Sequence, residues 1–344
     1  MKLVIVGATG AVGGEIMSIL AERPAFDDVE LLPVASARSA GRQLSYRGGS
    51  LHVVELEDKV FDGADLALFD VPDDVSREWA PRAVQRGVTI IDNSAAWRMD
   101  EDVPLVVPEV NPDEVRNPPK GIIASPNCTM LAMVLPVAAL HRRFILARLI
   151  ASSYQAASGA GKGGVDELWD QTETVAKEPD LVGRGLAREV LEAGGVFAHP
   201  LAMNVIPQIG SVRDHGYTSE EIKVGEETRK VLGIPGLPVS ATCVRVPTMV
   251  GHGVSIHAEF HRPVGVEEAR SVLSEAPGVE VVDDPANGVF PTPQLAAGRD
   301  PCFVGRIRQD LDDPNALELF SVADNLRKGA ALNTVQIAEL LLDD

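Results

Sequence analysis

The sequence predicts an α/β protein, with an N-terminal parallel sheet covered by helices on both faces and a second part of α+β type. Short apolar runs rich in β-formers alternate with helical stretches from Leu3 to Leu140, which is typical of parallel sheets. A glycine-rich turn joins the first strand to the first helix. After Phe144, strands alternate apolar and polar residues, as in a sheet with one covered face.

The elements follow in order along the chain. The N-terminal strands are predicted at 3–6, 29–36, 65–71, 88–93, 105–110 and 121–125, and the helices between and after them at 13–21, 74–86 and 128–140. The second part contains an alternating strand at 254–260, a surface excursion with a short helix at 177–199, and a final helix at 326–342 that packs back on the first domain. We expect a first domain at 1–127, joined by helix 326–344, and a second at 128–325.

Composition limits the classes of partner. There are 31 Lys and Arg against 50 Asp and Glu, a net charge of −19, so binding to nucleic acid or anionic lipid is not expected. Three scattered cysteines without a CxxC spacing indicate neither a disulfide framework nor a metal site. The apolar start at 3–6 is too short for a signal peptide, and the apolar run 130–140 is too short for a membrane span. We expect a cytoplasmic protein without a membrane anchor.

The first turn has the composition of a dinucleotide-binding loop. It reads Gly7-Ala8-Thr9-Gly10-Ala11-Val12-Gly13 between an apolar strand and an amphipathic helix. Small residues let a pyrophosphate approach the backbone N–H groups at a helix N-terminus, which is the arrangement of Rossmann-type domains. A tight βα turn without a ligand is the alternative.

The end of the second strand indicates the cofactor. NAD-preferring domains place Asp or Glu there for the ribose 2′-hydroxyl, whereas this chain has Ser36, Arg38 and Ser39. Guanidinium and hydroxyl groups donate hydrogen bonds to a 2′-phosphate. NADP is therefore favoured over NAD, with a solvated polar turn as the alternative.

Cys128 is the candidate nucleophile. The run Ser125-Pro126-Asn127-Cys128 lies between a strand and an apolar helix, so the thiol is expected at a helix N-terminus, where the dipole favours thiolate. Cys243 and Cys302 lack such a setting and are interpreted as inert packing residues.

Two further motifs offer polar groups. Gln155 precedes the turn Ser158-Gly159, whose glycine permits close approach of a ligand, although a glycine-rich linker is the alternative. Arg245 and His252 lie seven residues apart in a glycine-bracketed stretch. Arg245 is suited to bind a carboxylate, and His252, as a neutral imidazole, to act as general base.

Together these motifs resemble the aspartate-semialdehyde dehydrogenase family. The resemblance runs through GATGAVG, DNSAAWRMD, VPLVVPEVNP, ASPNCT, YQAASGAG, NVIPQIG, EEIK, RVPTMVGHG and NLRKGAALNTVQIAE. It implies reversible NADPH-dependent reduction of 4-phospho-L-aspartate to L-aspartate 4-semialdehyde, through a cysteine thioester, in the biosynthesis of lysine, methionine and threonine. It further implies an NADP-binding first domain, a catalytic and dimerisation second domain, and a homodimer or homotetramer without a metal.

The resemblance also implies residue roles. Cys128 would carry the acyl group, His252 would be the general acid/base, and Gln155 would orient the acyl-enzyme. Arg245 would hold the substrate α-carboxylate and Glu220 its amino group. The phosphate pocket would be formed by Arg98, Asn127 and Lys223. The residues that contact NADP would be Gly7, Thr9, Gly10, Ala11, Val12, Gly13, Ser36, Arg38, Ser39, Ser158, Gly159 and Asn325.

The chain departs from the family pattern after the strand at 65–71. A turn usually rich in Ser, Ala and Gly is replaced here by residues 70–74, which include Asp70, Asp73 and Asp74. Negative charge there is expected to weaken NADP binding or to shift its pose. Ser125 and Ala95 are milder departures.

Two alternative functions stay open at this point. An N-acetyl-glutamyl-phosphate reductase would share the fold, the cofactor and the Cys/His chemistry, but not the amino-group site that Glu220 would provide. A catalytically silent dinucleotide-binding relative would not need Cys128, Gln155, Arg245 and His252 together.

Overall fold

The computed structural model describes residues 1–342 and divides into two compact units. The first comprises Met1–Leu131, Glu226–Pro235 and the chain from Leu326 onward, and the second comprises Ala132–Gly225 and Gly236–Asn325. The expected limits of the functional domains, at 127/128 and 325/326, stay a prediction.

A six-stranded parallel sheet forms the centre of the first unit. Its strands, with those of the small hairpin β3–β4, are β1 (Lys2–Val6), β2 (Glu30–Ala35), β3 (Gln43–Tyr46), β4 (Gly49–His52), β5 (Val54–Glu55), β6 (Leu66–Phe69), β7 (Thr89–Asp92) and β8 (Ile122–Ala124). The spatial order is β5-β2-β1-β6-β7-β8. The order reverses between β1 and β6, and ligands of such sheets bind beyond the carboxyl ends of the strands at this point.

Helices α1 (Ala11–Glu22), α2 (Asp73–Val84) and α3 (Cys128–Phe144) follow the strands as the sequence predicts. The β1 residues Leu3–Val6 are at most 1% exposed, as expected of a strand covered on both faces. The α/β prediction for this part is confirmed.

One predicted strand is wrong. Residues 105–110 form no strand and keep only an isolated bridge between Leu105 and Ala124. Pro104 and Pro108 flank or interrupt this apolar run, and a proline cannot donate a ladder hydrogen bond. Asn111 instead satisfies the backbone, because its side chain accepts from the N–H of Val107 and donates to the carbonyl of Leu105.

The end of the chain completes the first unit. Residues Arg327–Ala331 form one turn of π-helix, and α9 (Leu332–Leu342) continues from it. Lys328 is 1% exposed and donates to both carboxylate oxygens of Glu109, at 2.9 and 2.7 Å. Asn333 donates to the carbonyl of Val106 and to Oγ of Ser125, both at 3.0 Å. The predicted C-terminal helix therefore begins with a π-turn.

The second unit is built on a mixed six-stranded sheet in the order β10-β9-β11-β14-β13-β12. Its strands are β9 (Leu146–Gln155), β10 (Val239–Arg245), β11 (His252–Phe260), β12 (Val279–Val281), β13 (Cys302–Gln309) and β14 (Ala316–Ala323), and its helices are α4 (Gly161–Val175), α5 (Pro179–Gly183), α7 (Val266–Ser274) and α8 (Pro293–Ala296). Helix α6 (Ser219–Leu232) passes from the second unit into the first. Alternate residues of β11 are buried from Val254 to Phe260, which confirms the predicted one-faced strand.

The predicted excursion at 177–199 contains the short helix α5. It is not wholly a surface segment, because Leu191 and Phe197 are buried beside Leu168 and Leu201. No helix within residues 1–342 is long and apolar enough to cross a membrane.

Two adjacent glycines in α1 are predicted to respond oppositely to alanine. A Cβ on Gly13 would lie 2.2 Å from the carbonyl oxygen of Gly7, whereas a Cβ on Gly14 meets no atom within 4 Å. Gly13→Ala should lower the free energy of unfolding by about 1–3 kcal/mol through overpacking. Gly14→Ala should raise it by about 0.5–1 kcal/mol, because alanine is the better helix former. Urea unfolding measures both, and equal effects would contradict the close packing of α1 on the turn.

Candidate active site

The turn after β1 exposes backbone amides at the start of α1. Gly7 has φ +98°, and a Cβ there would lie 2.0 Å from the carbonyl oxygen of Asp70, so only glycine fits. Gly10 precedes α1 and offers no side-chain cap. Thr9 and Val12 are half-buried, and Gly10 and Ala11 are exposed. The predicted loop is thus an accessible helix N-terminus that suits an anion.

The turn after β2 lies next to β1 in the sheet. Ser36 and Arg38 are exposed, and Ser39 is half-buried. The N–H of Ser39 donates to the carbonyl of Ser36 at 2.8 Å, which makes a tight turn. The structure therefore presents a guanidinium and hydroxyl groups at the edge where a 2′-phosphate would bind.

Asp70 follows β6 and faces the glycine-rich turn. Its Oδ2 lies 3.5 Å from the position of a Cβ on Gly10. Burial and, to a smaller extent, the charge of the neighbouring Asp92 raise the pKa of Asp70 to about 6, although hydrogen bonds from the Asn93 side chain and the Gly13 N–H favour the ionised form. Burial also raises the pKa of Asp92, which donor groups of Ser94 partly oppose. The departure at Asp70 therefore lies against the glycine-rich turn, which is the predicted cofactor loop.

The other two carboxylates of the departure are placed differently. Asp73 accepts the N–H of Ala95 at 2.9 Å, and Asp74 is exposed in the first turn of α2. Within residues 1–342, no contact joins Asp73 or Asp74 to the glycine-rich turn. Of the three carboxylates, Asp70 is therefore the one that can affect the predicted cofactor loop.

Cys128 is the first residue of α3 and is half-buried. Oδ1 of Asn127 accepts the N–H of Thr129 at 2.8 Å and of Met130 at 3.3 Å, so Asn127 is the N-cap. The predicted helix N-terminus is confirmed, and the helix dipole there favours thiolate. Cys243 and Cys302 are 1% and 0% exposed, in keeping with packing residues.

Arg98 is brought to the same place by Glu227. Nη1 of Arg98 donates to Oε1 of Glu227 at 3.0 Å, and the N–H of Asn127 donates to Oε2 at 2.5 Å. Nη2 of Arg98 also donates to the carbonyl of Asn93 at 2.6 Å. The first unit thus joins Arg98, Asn127 and Cys128, and sequence reasoning missed Glu227.

The second unit gathers another cluster at one sheet edge. Gln155 ends β9 opposite Arg245, which ends β10, and His252 begins β11 beside them. All three are buried, with exposures of 1%, 6% and 0%. Nε2 of Gln155 donates to Oε1 of Glu220 at 3.3 Å, and Nη1 of Arg245 donates to the carbonyl of Ala156 at 2.7 Å.

His252 is held in one tautomer. Its Nδ1 accepts the N–H of Ala156 at 3.1 Å, so the proton of the neutral ring belongs on Nε2. Burial and the Arg245 guanidinium lower the pKa of His252 to about 3. Nε2 is buried, and no residue in the 1–342 range hydrogen-bonds it. The ring therefore offers a donor to a ligand.

Gly159 lies against the side chains of Arg245 and His252, and its lack of a side chain avoids a clash with them. A Cβ on Gly159 would lie 2.7 Å from Nη1 of Arg245 and 3.0 Å from Nε2 of His252. Oδ1 of Asn325 accepts the N–H of Gly251 at 2.8 Å, and its Nδ2 donates to Oγ of Ser158 at 2.9 Å. The predicted cofactor residues Ser158, Gly159 and Asn325 therefore lie around His252.

Glu220 and Lys223 are one turn apart in the second unit's part of α6. Glu220 is 9% exposed, and Lys223 is half-buried. Arg245 also lines a cavity of about 550 Å³ with Phe197, whose ring centroid is 5.9 Å from the guanidinium carbon. The second unit thus contains both charge signs that an amino-acid substrate requires.

Elsewhere in the second unit, His257, Asp310 and Glu318 have their side-chain N and O atoms close enough together to bind one metal ion. His257 Nδ1 is 2.6 Å from Glu318 Oε1 and 3.8 Å from Asp310 Oδ2. These contacts, with Glu259 near Nε2 at 3.3 Å, form an ion-pair network on half-buried strands. These carboxylates are already paired with His257, and the sequence analysis predicts no metal ligand here.

Comparison with known proteins agrees with the geometry. Residues 2–118 match the family model of the semialdehyde dehydrogenase NAD binding domain, and residues 137–328 match that of the semialdehyde dehydrogenase dimerisation domain. Aspartate-semialdehyde dehydrogenase of Aquifex aeolicus is 45% identical, with 100% of this chain and 98% of that protein covered. The Bacillus subtilis protein of the same name is 43% identical, with 99% and 97% covered.

Solved structures give the same result. Aspartate semialdehyde dehydrogenase II of Vibrio cholerae, complexed with ASA, has a TM-score of 0.92 and 38% identity, with 100% of this chain and 98% of that chain covered. The Candida albicans aspartate semialdehyde dehydrogenase with NADP has a TM-score of 0.75 and 25% identity, with 99% and 98% covered. Sequence identity over the full length, matches to both family models and the shared fold all show that this chain belongs to the aspartate-semialdehyde dehydrogenase family.

Proposed function

We propose that this chain catalyses the reversible NADPH-dependent reductive dephosphorylation of 4-phospho-L-aspartate to L-aspartate 4-semialdehyde, in the biosynthesis of lysine, methionine and threonine. The observation that carries the proposal is Cys128 at the capped N-terminus of α3, with Arg98 beside the same turn. A helix N-terminus favours both the thiolate and a phosphate, which are the two anions of the first step.

In the first step, the Cys128 thiolate attacks the acyl carbon of the substrate. The bond from this carbon to the phosphate oxygen breaks, and phosphate leaves with its charge stabilised by Arg98, Asn127 and Lys223. The product is a thioester on Cys128. Arg98 is 8% exposed, so its charge is little screened by water.

In the second step, the thioester is reduced and released. NADPH held at the glycine-rich turn and the end of β2 would supply a hydride to the acyl carbon, and the resulting thiohemiacetal anion on Cys128 would collapse to the aldehyde and the free thiolate. His252 donates a hydrogen bond from Nε2 to the reacting oxygen, because Nδ1 is occupied by the N–H of Ala156. General-base action by Nε2 requires the other tautomer and therefore release of that N–H.

The second-unit cluster supports an amino-acid substrate. Arg245 is suited to the α-carboxylate, and Gln155 to orientation of the acyl group. Glu220 is buried and accepts from Gln155, so its carboxylate suits an α-ammonium group. An N-acetylated substrate has no ammonium to pair with it, which favours aspartyl phosphate over N-acetyl-glutamyl phosphate.

The first unit fits NADP in two respects. Gly10 is exposed at the N-terminus of α1, and because it has no side chain the backbone N–H groups there are accessible to a pyrophosphate. Ser36, Arg38 and Ser39 stand at the end of β2, where the 2′-phosphate is expected. Ser158, Gly159 and Asn325 would complete the contacts.

The family model that matches residues 137–328 is a dimerisation domain, which supports an oligomer. We extend this to a homodimer or homotetramer in the cytoplasm. Light scattering of the purified protein distinguishes the two states.

The first functional prediction concerns the nucleophile. Cys128→Ser should bind NADP but lose at least about a thousandfold in kcat, because a serine hydroxyl at this position is a far poorer nucleophile. Cys243→Ala is the matched control and should keep kcat nearly unchanged. Mass spectrometry of protein quenched with aspartyl phosphate, without NADPH, should find an aspartyl adduct on the Cys128 peptide. Phosphate release without that adduct would exclude the thioester route.

The second concerns the cofactor. The unaltered protein should prefer NADP to NAD in kcat/KM, and Arg38→Asp should lose most of this preference, because attraction to the 2′-phosphate becomes repulsion. Arg116→Asp makes the same charge change at an exposed residue of the first unit and should leave the ratio intact. Equal use of both cofactors by the unaltered protein would contradict the assignment.

The third concerns Asp70 and pH. Above its pKa of about 6, the carboxylate is ionised and repels the pyrophosphate; below that pH it is neutral. Asp70→Asn should therefore tighten NADP binding by roughly three- to tenfold at pH 8 and by little at pH 5. Titration by NADPH fluorescence measures the ratio between the two proteins, in which the ligand's own ionisation cancels.

Asp74→Asn is the control for this experiment, since it removes the same charge from an exposed residue of α2. It should change the dissociation constant less than twofold at either pH. A pH-independent ratio for Asp70→Asn would show that ionisation of Asp70 does not affect the cofactor.

A further inference from the structure

Glu227 contacts two components of the proposed phosphate site with its two oxygens. Oε1 accepts from Nη1 of Arg98 at 3.0 Å, and Oε2 accepts from the backbone N–H of Asn127 at 2.5 Å. The side chain of Glu227 is 1% exposed, and that of Arg98 is 10% exposed. Both contacts lie within the first unit, and Asn127 immediately precedes Cys128.

The burial of this carboxylate is costly without its partners. Glu227 occupies a position on the buried stripe of α6, between Val224 and Val231, which are 1% and 4% exposed. An apolar side chain would satisfy this position for packing, and a buried ion pair is generally no more stabilising than a packed apolar residue. The carboxylate is therefore better explained by what it holds than by stability.

Lys230 lies one turn further along α6 and holds the backbone that carries Arg98. Its Nζ donates to the carbonyl oxygens of Arg98, Asp100 and Val103, at 2.7, 2.8 and 2.8 Å. Glu227 thus fixes the guanidinium while Lys230 fixes the loop. Neither residue needs to touch a substrate to determine where the guanidinium points.

Glu227 also has an electrostatic effect on the nucleophile. A carboxylate at the N-terminus of α3 opposes the helix dipole and disfavours a thiolate at the first helical residue. The Arg98 guanidinium offsets this charge at close range. Removal of the Glu227 charge should therefore lower the pKa of the Cys128 thiol. The same change should also loosen the position of the Arg98 guanidinium.

We propose that Glu227 is a positioning residue that holds the Arg98 guanidinium and the Asn127–Cys128 peptide in the geometry needed for acyl-phosphate cleavage. The role rests on the proposed function. It predicts opposite changes in two measurable properties: Glu227→Gln should be slower in turnover yet more reactive as a thiol at low pH.

The experiment compares Glu227→Gln with Glu226→Gln, its exposed neighbour. Turnover is followed as phosphate-dependent NADP reduction with aspartate semialdehyde, and thiol reactivity as the pH profile of iodoacetamide alkylation of the Cys128 peptide. Glu227→Gln should lose at least tenfold in kcat and raise the KM for phosphate, while the alkylation midpoint falls by at least about 0.5 pH unit. Glu226→Gln should change neither.

Glu227→Asp separates charge from reach. It keeps the charge but shortens the side chain, so the alkylation midpoint should stay within about 0.3 pH unit of the unaltered protein while kcat falls at least tenfold. This variant also provides the test if Glu227→Gln does not fold. A purely structural role would lower the unfolding temperature without a downward shift of the midpoint in Glu227→Gln.

The proposal is overturned if folded Glu227→Gln retains kcat within twofold, or if its alkylation midpoint is unchanged or raised. It is also overturned if Glu227→Asp is fully active. Failure of the proposed function is distinguishable, because the unaltered protein would then reduce no NADP with aspartate semialdehyde, whereas the alkylation profiles would still report on Glu227.

Discussion

The proposed chemistry depends on the hydrogen bonds that the backbone N–H groups of Thr129 and Met130 donate to the Asn127 side chain. They make Asn127 the N-cap of α3 and so place Cys128 at its first helical position. An asparagine cap satisfies two helix N–H groups without adding a charge, which leaves the dipole's positive end available to the thiolate and phosphate. The backbone N–H of Asn127 is bound separately by Glu227, so side chain and backbone of this residue have different tasks.

Much of the first unit could be predicted because its signals are local. Apolar runs, the glycines of the first turn and the placement of Cys128 between strand and helix each depend on few neighbouring residues. The prediction of a strand at 105–110 was wrong because Pro104 and Pro108 cannot donate backbone hydrogen bonds to a sheet, although the segment is apolar. The hairpin β3–β4 escaped notice: its turn, Arg47-Gly48, with φ of 46° and 77°, lacks the usual Asn-Gly or Asp-Gly signal.

Glu227 and Lys230 could not be predicted as residues of the proposed site because their partners are a hundred or more residues away in sequence. The sequence does contain one weak indication of a role for Glu227, because this charged residue interrupts the apolar stripe of α6 between Val224 and Val231. Such an interruption indicates a buried partner but does not identify it. Likewise, the tautomer of His252 depends on the N–H of Ala156, which no side-chain pattern reveals.

The first unit is assembled from segments that are distant in sequence, and this has a consequence for its biosynthesis. Asn333 donates to Ser125, three residues before Cys128, and Lys328 binds Glu109. During translation, residues 1–131 emerge long before these partners exist, so the half-buried carboxylate of Glu109 lacks its ammonium until Lys328, 219 residues later, has been made. Domains that are continuous in sequence can fold as they emerge from the ribosome. Here the N-terminal sheet must wait for the segment with Lys328 and Asn333 before the turn that carries Cys128 gains these contacts.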